Sequence, residues 1–296
     1  MSKFLAILKT TALEILSEPL SLLVLLAALA LAVFAPVLHY HQFGEATRMA
    51  RDAGFSSLLM CGSVLAVFGT IRAFRREVES GTLEMALAHP VSRGGFFLAK
   101  TAGACVAYLV FALIVFGTEL TIVWGAAVGG NLARQSGDIA RIFGPALLAG
   151  VAIILLPLVF AAMLNRFARF RFVLTAFSLA LVLAILCGGA SLALMPRLLL
   201  RFLPPAVLLV CPAFLLIAAS AAFASCLRAN LAASAVGLVA AALLPVIGNY
   251  YLSDALTKGG TVPWPYVGLA LLVAAPAVAA FLLVGVAFGM AGRTST

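Results

Sequence analysis

Charged and metal-binding side chains are scarce in this 296-residue chain. It has ten acids, three histidines and five cysteines, and most stand alone. The exception is Arg72–Lys100, which holds three of the ten acids and the densest charge in the sequence. Its residues follow an order that local physics can read. Glu77 and Glu79 continue a helix that leaves an apolar stretch, and Ser80-Gly81 ends it, glycine being a common helix terminator. Thr82 can cap a second, short helix over Leu83–His89. Glu84 lies near that helix's positive end, where a carboxylate is favoured, and Leu83 and Leu87 give it an apolar side. Pro90 stops it, and Ser92-Arg93 leads to Phe96-Phe97 and Lys100. A short two-faced helix of this kind suits a groove on another protein. The alternative is an ordinary loop whose basic residues anchor helix ends, which accounts for Arg72, Arg75, Arg76 and Lys100.

Elsewhere the candidates are thinner. Glu119 is the one acid placed deep in an apolar segment, where an ionisable group costs about 2.5 to 3.5 kcal/mol near the centre. Three readings stay open: exposure to outer interfacial water, a helix–helix hydrogen bond, or a substrate or proton path. His39 and His41 invite a metal, but no third ligand accompanies them, and a solvated loop is the simpler reading. His89 belongs to the surface of the short helix. Cys61, Cys105, Cys187, Cys211 and Cys226 fall within or at the ends of apolar stretches without a Cys-x-x-Cys pair, as small packing residues do. Gly94-Gly95-Phe96-Phe97-Leu98-Ala99-Lys100-Thr101 is a near miss to a phosphate-binding loop. It lacks the final glycine and a preceding strand, and two phenylalanines stand where backbone amides must wrap a phosphate. No nucleotide site is therefore expected in this chain.

The elements that position these residues are set by composition. Hydrophobic residues make up 65% of the chain and charged ones 10%, with a mean hydropathy of +1.20. Soluble domains carry about 25% charged residues. The apolar residues fall in blocks of about 18 to 25, the length that crosses a hydrocarbon core, and they lack the alternation of barrel strands. The expected fold is all-α and membrane-integral, a helical bundle of six to eight spans with eight preferred: 20–38, 54–71, 102–124, 143–163, 172–194, 206–226, 231–252 and 266–290. The pair 206–226 and 231–252 is either a tight hairpin or partly re-entrant. Pro157, Pro245 and Pro276 fall inside spans. Tyr250-Tyr251 and Trp264-Tyr266 read as interfacial anchors.

Ahead of the first span, residues 1–19 form an expected amphipathic interfacial helix. Its stripe of Leu5, Leu8, Ala12, Ile15 and Leu16 is interrupted by Lys9, Glu14 and Glu18, and Pro19 starts the first span. Residues 20–296 form one transmembrane domain containing the 72–100 segment. No cleavable signal peptide is evident. With the N-terminus inside, 12 of the 19 Lys and Arg residues fall on the inner side and 7 on the outer, so both termini are expected in the cytoplasm. The net charge of +9 suits loops facing anionic lipid and requires no nucleic acid.

The ordered run Arg76, Glu77, Glu79, Gly81, Thr82, Leu83, Glu84, Leu87, Pro90, Val91, Ser92, Arg93, Phe96, Phe97 and Lys100 resembles the signature of ABC-2 type transporter permeases. It stands between spans two and three, where that family places its coupling helix. The likeness is nearest to the nitrous-oxide-reductase maturation permeases and similar Gly-Thr-Leu-Glu permeases. The resemblance implies a permease of a bacterial cytoplasmic membrane, acting as an exporter, as a homodimer or a pair of related permeases. It implies a separate ATPase subunit that holds ATP and Mg and docks on Glu77–Arg93, with no cofactor in this chain. The family commonly has six spans, fewer than the eight counted here. An ion-driven secondary transporter, a membrane scaffold without ATP coupling and a membrane-embedded enzyme are the competing classes.

Overall fold

The architecture was described in a computed structural model for residues 2–38, 46–79, 93–136, 139–226, 236 and 264–291. Nine α-helices are described: α1 (Ser2–Ser17), α2 (Pro19–Leu38), α3 (Ala46–Val64), α4 (Thr70–Glu79), α5 (Arg93–Ser136), α6 (Ile139–Ala168), α7 (Phe172–Leu194), α8 (Arg197–Cys226) and α9 (Trp264–Ala291). A π-helical turn over Leu65–Gly69 joins α3 to α4. No strand occurs among the described residues, as expected where the hydrocarbon offers backbone groups no partners.

Six stretches are long and apolar enough to cross a membrane: Ala50–Arg76, Gly94–Gly129, Gly144–Ala168, Phe172–Leu194, Phe202–Ser225 and Val267–Ala287. α1 and the start of α2 form a further pair, bent by 65° at Ser17–Pro19. Proline has no N–H to continue the ladder. At the elbow the Glu18 carbonyl instead accepts from the Ser21 and Leu22 amides at 3.1 and 3.4 Å, and Ser21 Oγ donates to the Ile15 carbonyl at 2.6 Å. The expected span 231–252 lies outside the described residues, Val236 excepted. So do Pro245, Tyr250 and Tyr251.

Two predicted boundaries move. The span expected at 54–71 belongs to a helical stretch that already begins at Ala46, because Met49, Ala50 and Ala53 continue its apolar pattern past the charges of Arg51 and Asp52. The span expected at 102–124 is the middle of α5, which runs 44 residues without a break because no proline interrupts it.

Around α5 the bundle is built on close backbone crossings. Ideal side chains added at Gly117 and Gly188 would strike the facing helix: Gly117 against the Ala184 carbonyl at 2.5 Å, Gly188 against the Gly117 Cα at 2.9 Å. Gly125 likewise faces the backbone of Ala146 on α6, and Gly150 faces Val33 on α2. Small residues let helices approach in lipid, where no hydrophobic gain separates helix from tail. On another side, Tyr108 meets Phe214 and Phe55 meets Phe202, with ring centroids 6.3 and 5.8 Å apart, which brings α8 against α5 and α3. α3 and α5 are mostly buried, whereas α9 presents nearly all its apolar surface outward.

Phe223, late in α8, lies 6.1 Å from Phe281, late in α9, and Gly285 abuts the Phe97 ring at the start of α5. α8 and α9 therefore finish at the end of the bundle where α5 begins. α1 lies at that end too, its Leu8 carbonyl and Thr11 pressed on Gly103.

Substituting Gly117→Val should force α5 and α7 apart and lower the melting temperature of the detergent-purified chain by several degrees, since overpacking costs about 1 to 3 kcal/mol. Gly189→Ala, where a methyl meets nothing within 4 Å, should leave it unchanged. Fluorescence-detected melting of the two variants checks this directly.

Candidate functional site

The candidate residues between spans two and three are carried by the end of α4 and the start of α5. Glu77 and Glu79 lie in the last turns of α4, and Arg93 is the first residue of α5. Gly81, Thr82, Leu83, Glu84, Leu87 and Pro90, with Val91, Ser92 and His89, lie outside the described residues, as do His39 and His41. What is described is the frame that holds the two ends of the segment.

That frame is fastened by Lys100. The residue is 1% exposed, and its Nζ donates to the carbonyl of Ala73 on α4. Nζ also lies 5.2 Å from the ring centre of Phe74 and 5.8 Å from that of Phe96. Phe74 and Phe97 meet in a tilted contact, ring centroids 5.5 Å apart. A buried ammonium is costly unless it is hydrogen-bonded, and aromatic faces attract a cation within about 6 Å. Parting α4 from α5 would strip Lys100 of the Ala73 carbonyl and the Phe74 ring, leaving only the Phe96 ring one turn away on its own helix. The interfacial anchor that the sequence suggests for Lys100 is therefore replaced by an internal clamp. Because Gly94–Thr101 is a continuous stretch of α5 and Lys100 is occupied, that stretch is not a phosphate-binding loop.

α1 braces the outer side of α4. Glu18 pairs with Arg72 at 3.6 Å and Glu14 with Arg76 at 3.2 Å. These two acids interrupt the apolar stripe when α1 is considered alone. Their four-residue spacing matches that of Arg72 and Arg76, so both bridges form when the helices lie side by side. Exposed pairs contribute about 0 to 1 kcal/mol each, which makes this brace a matter of orientation more than of stability. The stripe itself divides: Ala12, Ile15 and Leu16 are buried, whereas Leu5 is exposed. Ile15 lies 3.2 Å from where a side chain would start at Gly69, in the π-helical turn just above α4. Such turns widen the helix and leave a locally weaker ladder.

Glu119 lies far along α5 from this frame and is fully buried, which removes its exposure to interfacial water. Neither carboxylate oxygen has a hydrogen-bond partner among the described residues. Gly54 creates its space, since a methyl there would lie 2.5 Å from the carboxyl carbon. Arg51 and Asp52, expected in an outer loop, lie in α3 and are the charged neighbours that act on Glu119. Arg51 Nε donates to Asp52 Oδ1 at 3.2 Å, while its buried Nη2 has no partner among the described residues. Arg51 and Asp52 are the site residues that sequence reasoning missed. The signal was Arg51-Asp52-x-Gly54, a charge pair one turn before a glycine on an apolar face.

Cys61, Cys105 and Cys187 are partly buried and Cys211 buried, all as free thiols. No group of three or more metal-binding side chains gathers among the described residues.

A family model described as "ABC-2 family transporter protein" matches residues 8–186, well over half the chain. No curated protein and no solved structure matches. The matched region runs from within α1 into α7 and so contains the brace, the Lys100 clamp and the whole of residues 77–93. With its membrane-crossing helices, this match shows that the chain belongs to the ABC-2 family of transporters and is a membrane permease of that class.

Proposed function

We propose that this chain is the permease subunit of an ATP-driven exporter in a bacterial cytoplasmic membrane, worked by a separate ATPase that docks on residues 77–93. The observation that carries the reading is the Lys100 clamp, which joins α4 and α5 into one lever on either side of that segment. ATP and Mg belong to the ATPase. Its closure pulls on the segment, and the clamp passes the displacement to both helices together. Coupling requires that the ATPase hold the segment differently in its two states. Both chain termini face the cytoplasm in this arrangement, and two permeases, identical or related, sit above two ATPase subunits. Glu119, with Arg51 and Asp52, lies on the substrate path.

The docking claim is tested by affinity purification of the tagged chain from mild-detergent membranes. The wild type should bring an ATPase subunit in stoichiometric amount, and Leu83→Asp should lose it while reaching the membrane normally. Undiminished co-purification would remove 77–93 as the docking element. Glu84→Lys should keep assembly yet uncouple ATP hydrolysis from transport.

Lys100→Met keeps length and apolar bulk but deletes the hydrogen bond and the charge. It should leave docking intact and reduce substrate-stimulated ATP turnover several-fold in the reconstituted complex. Wild-type stimulation in this variant would mean that the clamp does not transmit force.

Glu119 offers an observation in favour of an ion-driven mode, since a buried carboxylate with no hydrogen-bond partner among the described residues is the kind of group that proton relays use. Vesicles holding the chain alone, with a pH-sensitive dye inside, should show no proton flux above protein-free vesicles. A flux abolished by Glu119→Gln would put the ion-driven reading first.

A further inference from the structure

At the end of the bundle where α5 begins, a cleft of about 1240 Å³ opens between α1, α4 and the start of α7. Among the described residues its charged lining is Arg72, Arg75, Arg76 and Arg171 with Glu14 and Glu18, a formal balance of +2. Both carboxylates are already engaged by Arg72 and Arg76. Those bridges are half-exposed, so an anion can share their arginines at little cost. The first turn of α7 forms part of the same wall through Phe172, Val173 and Leu174. Arg171 caps that turn in an extended conformation with no side-chain hydrogen bond, which leaves its leading N–H groups available to a ligand. A helix start that faces several guanidinium groups favours phosphate.

The rest of the lining identifies the source of the phosphate. Leu13, Pro19, Phe172, Val173 and Leu174 give the cleft an apolar wall. The cleft lies at the elbow between α1 and α2, where the membrane-length stretches Ala50–Arg76 and Phe172–Leu194 end and begin, a position that suits a lipid headgroup. Beyond it, α7 continues with exposed Val182, Ile185 and Leu186, a surface on which acyl chains can lie. We propose that this cleft is a binding site for the phosphate headgroup of an anionic phospholipid. A zwitterionic headgroup fits less well, because it brings no net charge to a described lining that carries four arginines against two glutamates. Lipid held there touches α1, α4 and α7 at once, and α4 leads into the segment at 80–92. The site rests on the cleft and its membrane-boundary position and does not require the ATPase reading.

The test uses the full chain purified in mild detergent, titrated with phosphatidylglycerol and with phosphatidylcholine of the same acyl chains, and read by native mass spectrometry. Wild-type protein should prefer phosphatidylglycerol at least tenfold. Arg75→Gln with Arg171→Gln should abolish the preference. Lys3→Gln with Lys9→Gln removes the same charge from α1 outside the cleft and should keep it. The single variant Arg171→Gln, in the turn between α6 and α7, should weaken phosphatidylglycerol about threefold and guards against misfolding of the double variant. Equal preference in the cleft variants and in the Lys3/Lys9 control would overturn the site. Displacement of bound phosphatidylglycerol by inorganic phosphate would overturn the lipid as its occupant and make it a site for a soluble phosphate compound.

Discussion

Lys100 takes a positive charge into the packed end of the bundle, where it meets the Ala73 carbonyl and the rings of Phe74 and Phe96. Because desolvation of a charge is costly when its partners are removed, the two helices that supply those partners are held at a fixed distance. The segment between them is thereby anchored at both ends. α1 adds its two ion pairs on the other side of α4, and Phe97 reaches across to Gly285 of α9. Four helices therefore converge on the few turns that flank residues 80–92.

This arrangement separates stiffness from compliance. α5 runs 44 residues without a proline, so it can tilt as a single rod. The helix before α4, by contrast, contains the π-helical turn Leu65–Gly69, whose altered ladder sits between the clamp and the body of α3. A pull on the clamped end meets a rigid rod on one side and a jointed one on the other. Glu119 lies well along the rigid rod, in a space that Gly54 of the jointed helix provides. Relative movement of α3 and α5 would change the surroundings of that carboxylate first.

Much of this was legible in the sequence because apolar blocks map onto spans with little else competing. The segment 172–194 coincides with α7 to the residue. Arg72–Glu79 is helical as the local order of that stretch implies. Other features depend on which helices become neighbours, and periodicity within one helix carries no such information. Lys100 at a span's edge reads as an anchor whose amine reaches water, until α4 is laid beside it. Glu14 and Glu18 read as interruptions until Arg72 and Arg76 face them. Glu119 was identified as a candidate, yet its complete burial depends on Gly54, and the neighbouring charges of Arg51 and Asp52 read as loop residues. The family model stops at residue 186, although α8 beyond it packs on α5 and α3 through Phe214 and Phe202.

The central claim is that α4 and α5 move as one unit. Its most direct test is a pair of spin-label distances in the complex assembled with its ATPase, using a chain whose five cysteines are replaced. Labels at Arg75 and Leu98 report on the clamp, and labels at Leu98 and Met163 report on the position of α5 against α6. The account predicts that the first distance is the same with and without ATP, while the second shifts. A first distance that changes on ATP binding, with the second fixed, would contradict it.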